Sequence, residues 1–501
     1  MRISATPQGV GLAALTFLLH LAGNPHYGFF RDELYFIVCG RHPAFGYVDQ
    51  PPLVPLLAAA SQVLGTSLIA IRIVPAALAA AMAYTVAALT RDMGGGRLAC
   101  LLAVIGATLA PILLAFGTQL GPDSTQMWLW PLAILCTGRA LLRSPTWWLG
   151  AGAAFGVAAE GKYSAVIAAA ALLLALAITN RRPFATLRFW QGILIAAALL
   201  LPNALWQALH GLPMLELLQN GQHGKNVVLS TPEFLLQQIL LTNPLLAPLW
   251  IAGLVWCLRH AAWRWLGIML GMLLAIMAAL HGKAYYPTPI YPALFAAGGV
   301  AVESLLARRH RAQWAACSLC LVSGLALAPL ATPVLPEPVL LAYLGWLQAV
   351  GIRIPATENH HRQAVLGQTF ADMHGWQTLA DQIQRLRTGL PQPLRAQARV
   401  FASNYGEAAA IDVLSNDPSM PPTLSSHNQY WLWGPRDYNG AALIDVGGNL
   451  SDDQKLCTHA TEIGQFHAPY IMPYEDGSAI ILCLGLRTPI RTLWPGLKYY
   501  N

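Results

Sequence analysis

The sequence predicts an α-helical, polytopic membrane protein whose C-terminal part is a small α/β domain outside the bilayer. Three observations predict it. Of 501 residues, 55% are hydrophobic and only 11% charged, against about 25% charged in soluble domains. Apolar segments long enough to cross a bilayer as helices recur through the first 331 residues. Beyond that point charged residues rise from roughly 8% to roughly 15%, and the long apolar runs stop.

About eleven spans are expected, at 8–24, 68–90, 98–117, 124–142, 147–160, 163–179, 189–206, 242–258, 264–280, 286–306 and 314–331. The first follows Arg2 and has the look of a secretory leader; it reads instead as an uncleaved first helix, because so many further spans follow. The fifth and sixth are short and meet at Glu160-Gly161-Lys162, so they are expected to dip rather than cross cleanly. With a cytoplasmic N-terminus, arginines such as Arg91, Arg97, Arg139, Arg143, Arg181 and Arg182 fall inside. The outer side keeps Arg31, Arg41, Arg72, Lys162, Lys225 and Lys283, a ratio of roughly two to one in the expected sense. The acids split the other way. Asp32, Glu33, Asp49, Asp123, Glu160, Glu216 and Glu233 fall outside, and only Asp92 and Glu303 inside, which points to a polar cavity on the outer face.

Residues 1–331 therefore form the membrane domain, 332–352 a linker, and 353–501 an outer α/β domain. The linker contains LATPVLPEPV, whose prolines read as a hinge. In the tail, 363–387 reads as a helix with Phe370, Met373, Leu379, Ile383 and Leu386 at helical spacing. The segments 399–403, 441–446 and 478–484 read as buried strands. Cys457 and Cys483 lie in this tail and would pair in an oxidising compartment; the cysteines of the apolar spans read as core residues. No spacing suggests structural zinc, and no basic, aromatic-interleaved patch suggests nucleic acid.

The chain is organised around 26–52, HYGFFRDELYFIVCGRHPAFGYVDQPP, read as an outer loop. It concentrates Arg31, Asp32, Glu33 and Asp49 where charges are otherwise scarce. Ionisable groups at a membrane edge are costly and mark function by default. The Asp32-Glu33 pair offers a carboxylate to accept a proton, with Asp32 preferred; the bland alternative is that the pair pins the loop beside Arg31. Asp123, in GTQLGPDSTQMWLW, has a sufficient local explanation as a helix cap. Asp49, before Gln50 and a proline-initiated helix, is equally ordinary.

Lys162 (AAEGKYSAV) and Lys283 (ALHGKAYYPTPIYP) stand at outer ends of apolar segments. Either they snorkel or they supply cationic donors to an anion; the inner cations are all Arg, which favours the second. Tyr285, Tyr286 and Tyr291 fit an interface belt. In the loop 207–243, Gln219 and His223 are one turn apart, a thin metal signal that Asp49 could only weakly supplement.

With these residues placed, the chain resembles the polyprenyl-phosphate-sugar-dependent glycosyltransferases of GT-C fold. The branch it is most similar to contains the bacterial aminoarabinose transferase of lipid A and the protein O-mannosyltransferases. The resemblance lies in FRDELYF, VDQPPL, LGPDSTQMWLW, EGKYS and GKAYYPTPIYPAL. It implies that Asp32, with Glu33 beside it, is the catalytic carboxylate and Asp123 the second loop acid. It also implies that Lys162 and Lys283 hold the donor phosphate, with Tyr285 or Tyr286 beside the latter. Where related chains have Asp/Glu-Lys-Pro-Pro, this one has Asp49-Gln50-Pro51-Pro52, so a phosphate-contacting lysine is missing and Lys225 or Arg31 must help. The tail, SNYGEAAAIDVL then SHNQYWLWGP, is similar to the outer domain of many bacterial members but carries no function with it.

The expected activity is thus inverting transfer of a sugar from a polyprenyl-phosphate donor to a cell-envelope acceptor (lipid A or another glycan, a lipid, or a protein). It would take place at the outer face of a bacterial inner membrane, with Mg²⁺ or Mn²⁺ a possible cofactor. A flippase of a lipid-linked saccharide would share the cavity, but no internal repeat is visible and the charges cluster at one face. A non-catalytic assembly protein is the third reading.

Overall fold

The computed structural model describes residues 6–224, 229–351 and 364–501. The described part of the first 351 residues is built from helices: α1 (Pro7–Gly23), α2 (Arg31–Arg41), α3 (Leu53–Ser61), α4 (Leu68–Asp92), α5 (Arg97–Leu109), α6 (Pro111–Phe116), α7 (Pro122–Leu142), α8 (Trp147–Ala159), α9 (Ser164–Thr179), α10 (Leu187–Leu209), α11 (Pro213–Gly224), α12 (Thr231–Leu241), α13 (Ala247–Arg259), α14 (Arg264–Ala279), α15 (Tyr291–Leu305), α16 (His310–Leu327) and α17 (Glu337–Ala349). Every expected apolar segment contains a helix. Length separates them. Only Leu68–Asp92, Leu187–Leu209 and His310–Leu330 are long and apolar enough to cross a membrane singly among the described residues, and α13 with α14 form one pair bent by 120°. At 1.5 Å per residue α8 spans only about 20 Å, short of a roughly 30 Å hydrocarbon core. The expected 98–117 span is broken at Pro111, where α6 begins. The structure therefore does not bear out a count of eleven full spans.

Burial separates the helices again. In α4, 56% of the apolar window is buried, against 17% in α10, whose Leu194, Leu201 and Leu205 are exposed. A helix with that much open leucine lies at the rim of the helical domain.

Three stretches expected as loop or linker are helical. Residues 26–52 contain α2, residues 207–243 contain α11 and α12, and the proline-rich linker gives way to α17. The apolar side chains of α2, Leu34, Tyr35, Ile37 and Val38, are buried in one cluster with those of the C-terminal domain. Its helix is paid for by a tertiary partner rather than by its own pattern.

The helix ends sort onto two faces. At one, Gln8 Nε2 donates to the Arg97 carbonyl (2.8 Å) and Arg91 donates to Gln8 (3.1 Å). There too Asp92 is paired with Arg139 and Arg143, and Glu303 accepts from the amides of Leu98 and Ala99 at the start of α5. Both acids of this basic face are therefore structural. The opposite ends of α1, α4, α7 and α8 bring together Asn24, Arg72, Leu120 and Glu160, and the site lies there.

The C-terminal domain runs α18 (Gln368–Ala371), α19 (Trp376–Thr388), α20 (Gln392–Gln397), β1 (Ala398–Ala402), α21 (Tyr405–Leu414), β2 (Leu424–Ser425), α22 (Gln429–Trp433), β3 (Ala442–Val446), α23 (Leu450–Leu456), β4 (Cys457–Phe466), β5 (Ser478–Leu486) and α24 (Ile490–Leu493). The three expected strands are present as β1, β3 and β5. The sheet order is β2-β1-β3-β5-β4, with β2, β1 and β3 parallel and β5 and β4 antiparallel. The expected 363–387 helix starts outside the described residues at Gln363. Further on it is interrupted before Gly375, whose φ of +84° suits glycine. Phe370, Met373, Leu379 and Ile383 are buried as the spacing predicts. Cys457 and Cys483 form a disulfide between β4 and β5. Because β1 leads through α21 to β2 on one side while β3 lies on its other side, the carboxyl ends of β1 and β3 form a topological switch point.

Candidate active site

Asp32 and Glu33 are adjacent in sequence and opposite in role. Glu33 is fully buried. Its carboxylate accepts from Arg72 Nε (3.1 and 3.2 Å) and Nη2 (3.0 Å), from the Phe30 amide (2.9 Å) and from the Leu120 amide (3.0 Å). Arg72, equally buried, spends its other donors on the carbonyls of Asn24 (2.8 Å), His26 (3.2 Å) and Gly28 (2.7 Å). This pair clamps the α1–α2 turn, the start of α4 and the loop before α7. With five N–H contacts and no exposure to solvent, the Glu33 carboxylate is fully engaged as a structural clamp.

Asp32 points elsewhere. Its side chain is 33% exposed, and Oδ1 accepts from the Tyr405 hydroxyl (2.8 Å) and weakly from Arg31 Nε (3.4 Å). Tyr405 opens α21 in the C-terminal domain, directly after β1. Arg31 is committed to that domain as well. Its Nη1 donates to the Tyr474 hydroxyl (3.0 Å), lies 3.9 Å from Asp372 Oδ1, and its backbone amide donates to the Asp372 carbonyl (2.9 Å). The surrounding acids and phenols hold the guanidinium charged despite burial, Asp372 foremost. Arg31 therefore ties α2 to the C-terminal domain.

Asp49 sits nearby. Oδ1 accepts from the Tyr35 hydroxyl (3.0 Å) and Oδ2 from Asn428 Nδ2 (3.3 Å). Burial pushes its carboxyl up to about 6, with the Asp32 charge adding a little. The Gln50 side chain is 2% exposed, and neither of its amide atoms has a partner within the described protein. Such a group is satisfied only by something the protein does not itself supply, a ligand or water.

The second cluster joins Asp123 and Lys162. Lys162 Nζ donates to both Asp123 oxygens (2.8 Å each) and lies over the rings of Tyr286 (4.2 Å) and Tyr285 (4.9 Å). Lys283 Nζ is 6.0 Å from the Tyr285 ring. Helix α7 starts at Pro122 with Gly121 as its cap, so Asp123 stands in the first turn, where the helix dipole favours an anion. Lys162 reaches it because the α8–α9 break passes close to α7; a Cβ at Gly161 would overlap Thr125 Oγ1. The same break presents Glu160, whose carbonyl accepts from the Leu53 amide (3.0 Å). One of its carboxyl oxygens is buried without a partner among the described residues. Glu33 links the two clusters, because the Leu120 amide it holds is three residues before Asp123.

Lys225 lies outside the described residues, as does the His223 side chain. Asp49 has both oxygens taken, and among the described residues no three His, Cys, Asp or Glu side chains gather as metal ligands. Sequence reasoning missed Tyr405, Asn428 and Arg72. A signal did exist for Tyr405. Asn404 and Glu407 make a capping box directly after β1, placing the next residue at a strand–helix turn, where sites form.

The model of the dolichyl-phosphate-mannose-protein mannosyltransferase family matches residues 49–206, which include Asp49, Asp123 and Lys162. Over the whole chain the fold matches ArnT from Cupriavidus metallidurans bound to undecaprenyl phosphate, with a TM-score of 0.61 at 13% identity. That match covers 95% of this chain and 97% of that one. The chain shares the GT-C fold of these transferases. The arabinofuranosyltransferase AftD from Mycobacteria shares the GT-C fold at a TM-score of 0.53 and 14% identity, over 97% of this chain and 40% of that one. No curated protein sequence matches. In this GT-C fold the polar face is built by the helix ends, and the C-terminal domain packs against it.

Proposed function

We propose that this enzyme transfers a sugar from a polyprenyl-phosphate donor to a cell-envelope acceptor, with inversion, at the outer face of a bacterial inner membrane. The observation that carries the reading is the sorting of the two acids. Of the adjacent pair only Asp32 is accessible with an oxygen to spare, while Glu33 holds the Leu120 amide three residues before the Asp123 that pairs with Lys162. In the proposed step the acceptor oxygen or nitrogen bonds to the anomeric carbon as the bond to the phosphate oxygen breaks. The acceptor's proton passes to Asp32 and the electron pair stays with the lipid phosphate. Lys162 and Lys283 meet the charge that develops there. Asp123 does not take a proton; with both oxygens on Lys162 it aims that ammonium between the two tyrosine faces. Gln50, in the place of the expected lysine, offers the donor a neutral amide.

ArnT bound to undecaprenyl phosphate supports a lipid-linked donor, because the two folds correspond along their whole length. The arginine asymmetry supports a cytoplasmic N-terminus, and the Cys457–Cys483 disulfide supports a periplasmic C-terminal domain. The test compares wild type with Asp32→Asn for release of polyprenyl phosphate from a panel of lipid-linked sugars, with cell-envelope extract as acceptor. Release by wild type alone is expected. Full release by Asp32→Asn would remove Asp32 from the mechanism.

A further inference from the structure

In an open α/β sheet, ligands enter the crevice beyond the carboxyl ends of the strands, where the strand order reverses. In the C-terminal domain that point lies between β1 and β3, and α21 starts from it, capped by Asn404, which accepts from the Gly406 and Glu407 amides. Against this first turn packs α2 of the membrane domain. Arg31 lies so close that a Cβ at Gly406 would overlap its Cγ. The end of the sheet that in other α/β domains receives a small molecule here receives the segment carrying Asp32.

A cation at a helix N-terminus is unfavourable on its own. Asp372, Asp32, Tyr474 and Tyr405 surround the guanidinium and compensate. The fit extends outward: Val48's amide donates to Gln429 Oε1 (3.0 Å), Asn428 donates to Asp49, and Arg41 donates to the Asp412 carbonyl (3.1 Å). So many matched polar contacts across one boundary imply a fixed docking geometry rather than a tethered passenger.

Resting on the reading of Asp32 above, we propose that Tyr405 is a positioning residue, and that the C-terminal domain completes the reaction centre by holding Asp32 through it. The Tyr405 ring is itself confined, with Tyr35 at 4.7 Å, His427 at 4.9 Å and the Arg31 guanidinium 5.3 Å above it. Its hydroxyl therefore has little freedom, and its single short bond goes to Oδ1 at 2.8 Å. With Oδ1 engaged, Oδ2 is left to face the acceptor. Tyr405 touches no substrate atom in this scheme; it sets the orientation of the group that does.

The experiment uses the full chain in detergent with polyprenyl-phosphate release as readout. A hydrogen bond to an ionised group corresponds to a factor of about 10 to 100. Tyr405→Phe is expected to lower kcat by about that factor while leaving the donor KM and the melting temperature unchanged. In an Asp32→Asn background, with residual turnover read over long incubations, the same change is expected to cost less than about twofold, because a residue acting through Asp32 has nothing left to position. Wild-type kcat in Tyr405→Phe, or an equal loss in both backgrounds, would overturn the proposal. Wild-type activity of Asp32→Asn alone would instead overturn the underlying assignment, so the two failures are distinguishable. If Tyr405→Phe melts early, the two backgrounds are compared at a temperature below its melt, and an equal loss in both would still overturn the proposal.

Discussion

Replacing Glu33 and replacing Asp32 should have opposite consequences, although the residues are neighbours. In Glu33→Gln one carboxylate oxygen becomes an amino group facing N–H donors, and the Arg72 charge loses its only carboxylate partner among the described contacts. Both side chains are fully buried, so solvent cannot screen the loss. Removing one partner of a buried pair costs about 3–5 kcal/mol. For a chain larger than 250 residues, about 2 °C per kcal/mol is a fair conversion, giving a fall of roughly 6–10 °C in the melting temperature. Asp32→Asn keeps an acceptor for the Tyr405 hydroxyl at a partly exposed position, so its melting temperature should move by no more than about 1 °C while transfer is lost. The assay is a thermal melt in one detergent at one scan rate, because large proteins often unfold irreversibly, run beside the release assay. A stable Glu33→Gln without activity, together with an unstable Asp32→Asn, would reverse the two roles and refute the reasoning.

Lys162→Met should weaken donor-lipid binding by about tenfold or more and leave Asp123 without its partner, whereas Asp123→Asn should mainly lower kcat through a misaimed ammonium; titration with polyprenyl phosphate separates the two. Glu407 is held up to about 7 by burial. It therefore binds a proton more tightly folded than unfolded, so its contribution is fully present at acid pH and lost as pH rises through about 7. The cost approaches about 3 kcal/mol. Melting should be higher at pH 5 than at pH 8, and Glu407→Gln should flatten that difference. Cys457→Ser with Cys483→Ser opens a loop of 26 residues and should cost about 3 kcal/mol, seen as a lower melt that reductant no longer changes.

The sequence by itself determined the membrane character, the position of the apolar helices, the change to an α/β tail, three of its five strands and the pairing option of Cys457 and Cys483. These follow from local quantities: apolar run length, side-chain periodicity and charge placement. It also brought forward the residues that matter, because charges in an apolar chain are few and each is conspicuous. Local pattern could not say which acid works. Asp32 and Glu33 look alike in RDE; what distinguishes them is Arg72, 39 residues away, and Tyr405, 373 residues away. The same holds for α2, whose residues show no strong helical pattern and become a helix because the C-terminal domain covers them. Burial and the identity of a distant donor are properties of the folded chain, and they set the different surroundings of Asp32, Glu33 and Arg31.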